Sequence, residues 1–335
     1  MTAARHTAVV LLFAFCFAQA QPAFAYLKFG VRIGTRQVTV KWAQLPARYF
    51  VSDAAAVPGV SVSDFQAAVG RAFATWQAVP SSAVAYQFGG LTAAVPGQDD
   101  GSSTLGFRDR PELDRVLAST SFVIDTVTGA LVESDIFFNS AFSWSVSPSG
   151  TAGTFDLESI ALHEIGHFSG LGHSALGETE LREGGGRRVI ASAAVMFPVA
   201  FGPASIAGRT LQPDDIAGIS DLYPEADFEA NSGSISGRVT RDGQPLFGAH
   251  VIAFDPATQA MVSNFTLNSQ GQFSIGGLPP GPRILRVEPL DDADADSFFN
   301  GDPPDVDFRV VFFNRIVVVP RGGDSGSVDI KVVRK

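Results

Sequence analysis

Residues 163 to 173 read HEIGHFSGLGH and place three of the chain's five histidines within one short stretch. On a helix, His163 and His167 are four residues apart and share one face, so both imidazoles can reach a single ion. Gly170 stands three positions further on, where a glycine can take a left-handed conformation, end the helix and let the chain turn back. His173 can then approach the same point from below. Three neutral imidazole nitrogens suit Zn2+, which favours tetrahedral nitrogen ligation at about 2.0–2.1 Å.

The fourth ligand separates a structural from a catalytic site. A structural zinc needs a closed shell, usually with cysteine. The single cysteine, Cys16, and His6 both lie in the N-terminal leader described below, and His250 belongs to the far part of the chain. A carboxylate could still close the shell, but Glu164 suggests a better use for one. It is rotated roughly 100° from His163 around the helix, beside an open metal position that water can fill. Zinc can lower the pKa of bound water from about 15.7 to about 7. Glu164 would take the proton as general base and deliver it to a leaving amine, and an amide bond is the natural substrate. HExxH alone also arises by chance on buried helices; the longer HExxHxxGxxH is far more constrained.

At 335 residues the chain is long enough for two domains, each with a real core. A net charge of −10 argues against nucleic acid, whose phosphates need basic patches. The first residues read as a secretion signal over 1–25, with Arg5 as the positive start, an apolar run from Val9 to Ala18, and Ala23-Phe24-Ala25 as the cleavage site. The product is expected to be secreted or extracellular, with a periplasm as the other destination, and no later stretch approaches a membrane span. Cleavage after Ala25 leaves no cysteine, so packing or bound ions must brace the mature chain.

Alternation in RQVTVKWAQLP suggests a strand. SVSDFQAAVGRAFATWQAV predicts a helix buried through Phe65, Val69, Ala72, Phe73 and Trp76, with Ser63 or Asp64 as its cap. Strands are expected at Thr104–Phe107, Val116–Ile124 and Leu131–Phe138. A second helix is expected over TFDLESIALHEIGHF with Asp156 as N-cap, and a third near QPDDIAGISDLY with Pro213 in its first turn. From Ser234 onward, short strands alternate with Gly/Pro turns at the spacing of a β-sandwich. The acidic stretch DDADADSFFNGDPPDVD lacks a regular ligand spacing and reads as a solvated loop.

These motifs resemble the metzincin zinc peptidases, specifically the matrixin family, over roughly residues 36–224. His163, Glu164, His167, Gly170 and His173 match the zinc signature, Ser174 follows as it typically does in matrixins, and AVMFP is similar to the Met-turn, with Met196 beneath the metal. The resemblance extends to VKWAQLPARYFV as first strand, AAVGRAFATWQAV as first helix and LQPDDIAGISDLYP as closing helix, where Asp214 and Asp215 would buttress the Met-turn. It implies an α+β catalytic domain over 26–226, with a twisted, mostly parallel sheet, an antiparallel edge strand and about three helices. RVLASTSF would be the edge strand beside the cleft, where backbone at Leu117 and Ala118 could pair with an extended peptide; an ordinary internal strand is the alternative. The segment from Pro198 through Phe201 would wall the pocket for the residue after the cut, unless Val199 and Phe201 pack inward.

Departures from the family are as informative. LASTSF and SDIFFN lack the histidines of a second, structural zinc. Asp135 and Asn139 fall near family calcium positions, which admits a Ca2+ ion or a turn or cap role. The family's inhibitory cysteine segment is missing. ALGETELREGGGRRVIASAA, longer than in typical matrixins, suggests a mobile surface loop bordering the cleft.

After a polar linker at 227–233, residues 234–335 resemble the transthyretin-like sandwich called a carboxypeptidase regulatory-like domain. A spacer or stabilising role is expected for it, with His250 on a strand surface. The resulting expectation is a monomeric, secreted zinc endopeptidase acting on protein or peptide. The alternatives are an adhesion protein with an inactive metalloprotein domain and a zinc amidase acting on cell-wall peptide.

Overall fold

In the computed structural model, residues 28–183, 185–290, 297–299 and 303–335 are described; the leader at 1–25, with Arg5, His6 and Cys16, lies outside them. The chain enters through a hairpin of β1 (Gly30–Ile33) and β2 (Arg36–Thr39), so RQVTVKWAQLP contributes only a short strand before β3 (Ala47–Ser52). Helix α1 (Val62–Gln77) forms where Phe65, Val69, Phe73 and Trp76 recur at helical spacing, and all four are buried. Its cap is Ser61 rather than Ser63 or Asp64. The Ser61 hydroxyl accepts from the Asp64 amide, and the Asp64 carboxylate accepts from the Ser61 amide. Asp64 thus serves at the third helical position, as the reciprocal half of a capping box.

Strands β4 (Tyr86–Thr92), β5 (Thr104–Arg108), β6 (Ala118–Ile124) and β7 (Leu131–Asn139) join β3 in one sheet of order β4-β3-β5-β7-β6. The first four in that order run parallel, and β6 pairs antiparallel with β7 at the edge. A short parallel pair, β8 (Trp144–Ser145) and β9 (Phe155–Asp156), leads into α2 (Leu157–Phe168). Leu157, Ala161, Leu162, Ile165 and Phe168 of α2 are buried, and the Trp76 indole donates to the Leu162 carbonyl at 2.8 Å, tying α1 to α2.

The stretch expected to be a mobile loop instead contains an antiparallel hairpin, β10 (Gly177–Leu181) with β11 (Arg187–Ser192). Its glycines, Gly185 and Gly186, have positive φ at the turn, so the glycines that suggested mobility serve the hairpin's reversal. Helix α3 (Pro213–Leu222) begins with Pro213 in its first turn. The segment expected as a linker holds one helical turn, α4 (Phe228–Asn231), with Phe228 buried.

The C-terminal half is β-rich. One sheet contains β12 (Gly233–Arg241), β13 (Gln244–Pro245), β16 (Gln272–Leu278) and β20 (Val328–Val332). The other contains β14 (His250–Phe254), β15 (Met261–Phe265), β17 (Gly281–Glu288), β18 (Val311–Phe312) and β19 (Val317–Val319). Alternate residues such as Ile235, Val239, Ile275 and Ile330 face Val251, Ala253, Leu285 and Val287 across a common core.

This half docks closely on the first. Helix α3 packs on β15 and β16. The outward-facing Ile252 of β14 is buried with Leu176 and Ala194, and Phe265 of β15 with Ala175. His250, expected on a strand surface, is only 1% exposed: its ring packs on Phe265 at 5.1 Å, in the layer of the sandwich that Ala175, Leu176 and Ala194 cover at Phe265 and Ile252.

Candidate metal centre

Helix α2 starts with Asp156, whose carboxylate accepts from the Ser159 amide at 2.9 Å and is bracketed by the Arg209 guanidinium. Glu158 in the first turn pairs with Arg71 of α1. The other end is closed by a Schellman arrangement: the Gly170 amide donates to His167 O at 2.9 Å and the Leu171 amide to Gly166 O at 3.0 Å. Gly170 sits at φ 103°, and a side chain there would strike the Val40 carbonyl, so this reversal needs glycine twice over. The chain turns back and delivers His173 to the face that carries His163 and His167.

The three rings converge, with centroids 4.8, 5.4 and 4.7 Å apart and one ligand nitrogen from each within 4.8 Å of the others. Every Nδ1 faces a backbone carbonyl at 2.8 Å: His163 that of Val195, His167 that of Leu171, His173 that of Ser297. A carbonyl only accepts, so each Nδ1 carries the hydrogen and each Nε2 presents a bare lone pair. Burial also keeps the rings neutral. It pushes His163 down to about 3 and lowers His167 and His173, with the neighbouring imidazoles reinforcing the fall at His163 and His167.

This arrangement supplies a fit test for a cation. His167 Nε2 and His173 Nε2 stand 3.1 Å apart with no hydrogen to share, a repulsive contact unless a positive charge sits between them. The edge of a tetrahedron with bonds of about 2.05 Å is about 3.3 Å, so the spacing suits zinc. His163, His167 and His173 form the only cluster of three or more potential metal-ligating side chains among the described residues.

Glu164, one residue from the first imidazole, is 6% exposed, and burial raises its pKa to about 7. The Thr120 hydroxyl lies 2.6 Å from its Oε2 and donates to it. Thr120 was not singled out in the sequence; its one signal was membership of the edge strand. Ala118 opens that strand two residues earlier, and the Leu117 carbonyl accepts from the Asn139 amide. β6 thus runs beside α2 with its far side unpaired among the described strands.

Met196 is buried beneath α2, where a side chain on Gly166 would collide with its sulfur. The two adjacent acids of α3 divide their work. Asp215 accepts from the Val195 amide at 2.8 Å and the Met196 amide at 3.1 Å, so the peptide whose carbonyl orients His163 is clamped from behind. Asp214 does not reach that turn; it bonds Ser174 and accepts from the Ser263 amide of β15 at 2.8 Å. Burial raises Asp214 to about 7 and Asp215 to about 6. Pro198 and Phe201 are half-buried on the segment after Met196.

The calcium candidates act as loop organisers. Asp135 accepts backbone amides of Gly97, Gln98 and Thr104, and the Asn139 amide group donates to the carbonyls of Arg110, Leu113 and Val116.

Comparison with known proteins finds two family models that match separate stretches of the chain. Residues 41–182 match the family model for matrixin, and residues 234–309 that for the carboxypeptidase regulatory-like domain. "Metalloendoproteinase 1" from Glycine max is 42% identical over 85 residues, which cover 24% of this chain and 21% of that protein. The chain thus spans about a fifth of that relative's length. Among solved structures, "The Bacillus anthracis TIE protein" is 17% identical over 31% of this chain and 17% of its own, at a TM-score of 0.21, too low to support any argument.

Proposed function

Taking residues 41–182 as a matrixin domain joined to a carboxypeptidase regulatory-like domain, we propose that the chain is a secreted zinc-dependent endopeptidase that cleaves peptide bonds in proteins. The observation that carries this reading is the convergence of three bare Nε2 atoms beside a buried carboxylate that is not itself one of the cluster. No helix of the described residues is long and apolar enough to cross a membrane, and secretion rests on the leader sequence at 1–25.

His163, His167 and His173 would hold the ion. Bound zinc would supply Lewis acidity, acidifying water to a pKa of about 7 and stabilising negative charge on a substrate carbonyl oxygen. Glu164 takes the proton from the attacking water and passes it to the departing amine. A pKa near 7 suits a group that must accept a proton and then release it. Thr120 fixes one oxygen of that carboxylate and leaves the other free for the water. An extended substrate would add to the open edge of β6 at Ala118, since the Leu117 carbonyl already faces β7, with Pro198 and Phe201 on the opposite wall.

The test is metal analysis of the purified mature chain, with casein cleavage measured before and after chelation and again after zinc is returned. One zinc per chain, with activity lost and regained, is expected. Full activity in the metal-free chain would overturn the proposal.

A further inference from the structure

We propose that the C-terminal sandwich completes the metal centre: the Ser297 carbonyl fixes the third imidazole, and the aromatic pair Phe298 and Phe299 holds that carbonyl in place. This rests on the zinc reading above.

Two of the three orienting carbonyls come from the N-terminal half, Leu171 only four residues from His167 and Val195 beside Met196. The third comes from a residue 124 positions beyond His173, in the sandwich half. A ring whose Nδ1–H has no acceptor can rotate or change tautomer, and a ligand that does either loses its aim at the metal.

The sandwich fixes its acceptor firmly. Phe299 is buried between Phe247 and Phe265, with ring centroids 5.2 and 5.0 Å away, in a cluster that includes Leu290 and Ala175. Ala175 lies two residues after His173, so the same cluster grips the backbone of the ligand turn. Phe298 presents an edge-on contact to the His173 ring at 6.0 Å and packs on Phe265 at 5.4 Å.

A third contact reaches the same turn. Asp214 bonds Ser174 next to His173 on one side and the Ser263 amide of the sandwich on the other. A passive spacer needs none of this, because it could attach anywhere on the outer surface. Here three contacts meet around one ligand. By linkage, whatever the sandwich adds to metal affinity, the metal returns to docking of the sandwich.

The test uses the full chain carrying Phe298→Ala and Phe299→Ala together, with zinc affinity measured by chelator competition. Loss of an outer-shell partner should weaken zinc binding about 10- to 100-fold. Proton NMR of the imidazole N–H groups in the zinc-loaded protein supplies a readout that general destabilisation would not mimic: the His173 Nδ1–H should exchange away while those of His163 and His167 persist. Should the double variant fail to fold, as judged by circular dichroism and thermal unfolding of the whole chain, Phe298→Ala alone carries the same two measurements with Phe299 left in place. Wild-type zinc affinity in a folded variant, or equal loss of all three ring protons, overturns the inference. A wild-type chain that binds no zinc instead sinks the metallopeptidase reading itself.

Discussion

In the sandwich, the buried His250 donates its Nδ1–H to Glu288 at 3.0 Å, and Arg286 pairs with the same carboxylate. In the N-terminal half, Glu164 follows the first of three converging imidazoles in sequence and takes its hydrogen bond from a neutral hydroxyl, that of Thr120. The two glutamates respond to burial in opposite ways. Burial pushes both up, but His250 and Arg286 hold Glu288 below its ordinary value, whereas nothing cationic opposes the rise at Glu164. The sandwich cluster already contains its positive charge in Arg286, and one ring nitrogen, His250 Nε2, has no hydrogen-bond partner among the described residues. The N-terminal cluster points three lone pairs at one place and leaves a carboxylate ready to exchange a proton. A glutamate already paired with Arg286 and bonded to His250 holds a fold together; the other arrangement waits for an ion.

The same substitution at both glutamates is the strongest way to break this contrast. Glu164→Ala should lower kcat by about 10²- to 10⁴-fold, the usual worth of a general base, while zinc stoichiometry stays at the wild-type value. Glu288→Ala should leave kcat within about twofold of wild type but cost about 1–3 kcal/mol of stability in denaturant unfolding, because it strands a buried imidazole hydrogen. Near-normal turnover in the first variant, or lost turnover in the second, would erase the distinction between the two sites.

Thr120→Val sharpens the comparison by removing the one hydrogen bond to the Glu164 side chain among the described residues. A hydrogen bond to a charged group is worth roughly 1.5–3 kcal/mol, and about 1.4 kcal/mol is tenfold in rate, so kcat should fall by about tenfold or more with zinc retained. That donor favours the ionised carboxylate, so its loss should also move the acid limb of the kcat/KM profile to higher pH. An unchanged profile would show that Thr120 serves packing alone.

The smallest effect concerns acid. Burial raises Asp214 to about 7 and Asp215 to about 6, above the unfolded range near 4. Between those values these two carboxyls bind more protons in the folded chain than in the unfolded chain, so their own contribution to stability rises as pH falls from 7 towards 5. Glu288 and Asp255 in the sandwich are held low, so their contributions are present at neutral pH and lost only as pH falls through their folded pKa values. All three tryptophans, Trp42, Trp76 and Trp144, lie in the N-terminal half, which makes their fluorescence a probe of that half. The three buried histidines, held below their ordinary value, act in the opposite sense, so the contribution of Asp214 is read by difference: from pH 7 to pH 5.5 the fluorescence-detected midpoint of the metal-free wild type should gain about 2–4 °C relative to that of Asp214→Asn, equivalent to about 1 kcal/mol. An equal change in the two chains, or a relative loss in the wild type, would contradict the assigned direction.

Much of this was legible in the chain itself wherever the relevant physics is local. The four-residue spacing of His163 and His167, the reversal at Gly170, Asp156 as a cap, and the buried stripe of α1 each depend on residues within about two turns of one another. What the sequence did not show spans greater distances: Thr120 lies 44 residues from Glu164, and Ser297 lies 124 from His173. Burial of His250 was likewise hidden, because a strand's alternation records the faces of its own sheet and not what later lies over them. Asp214 and Asp215 were read together as one buttress, yet adjacent helical positions point about 100° apart, and only the docked sandwich gave Asp214 a second neighbour to bond. Local geometry chose the ligands from the primary structure and, through Leu171, aimed His167; tertiary packing chose what aims the other two, and packing between the two halves chose the acceptor for His173, because its position is fixed by the whole core and no run of neighbouring residues encodes it.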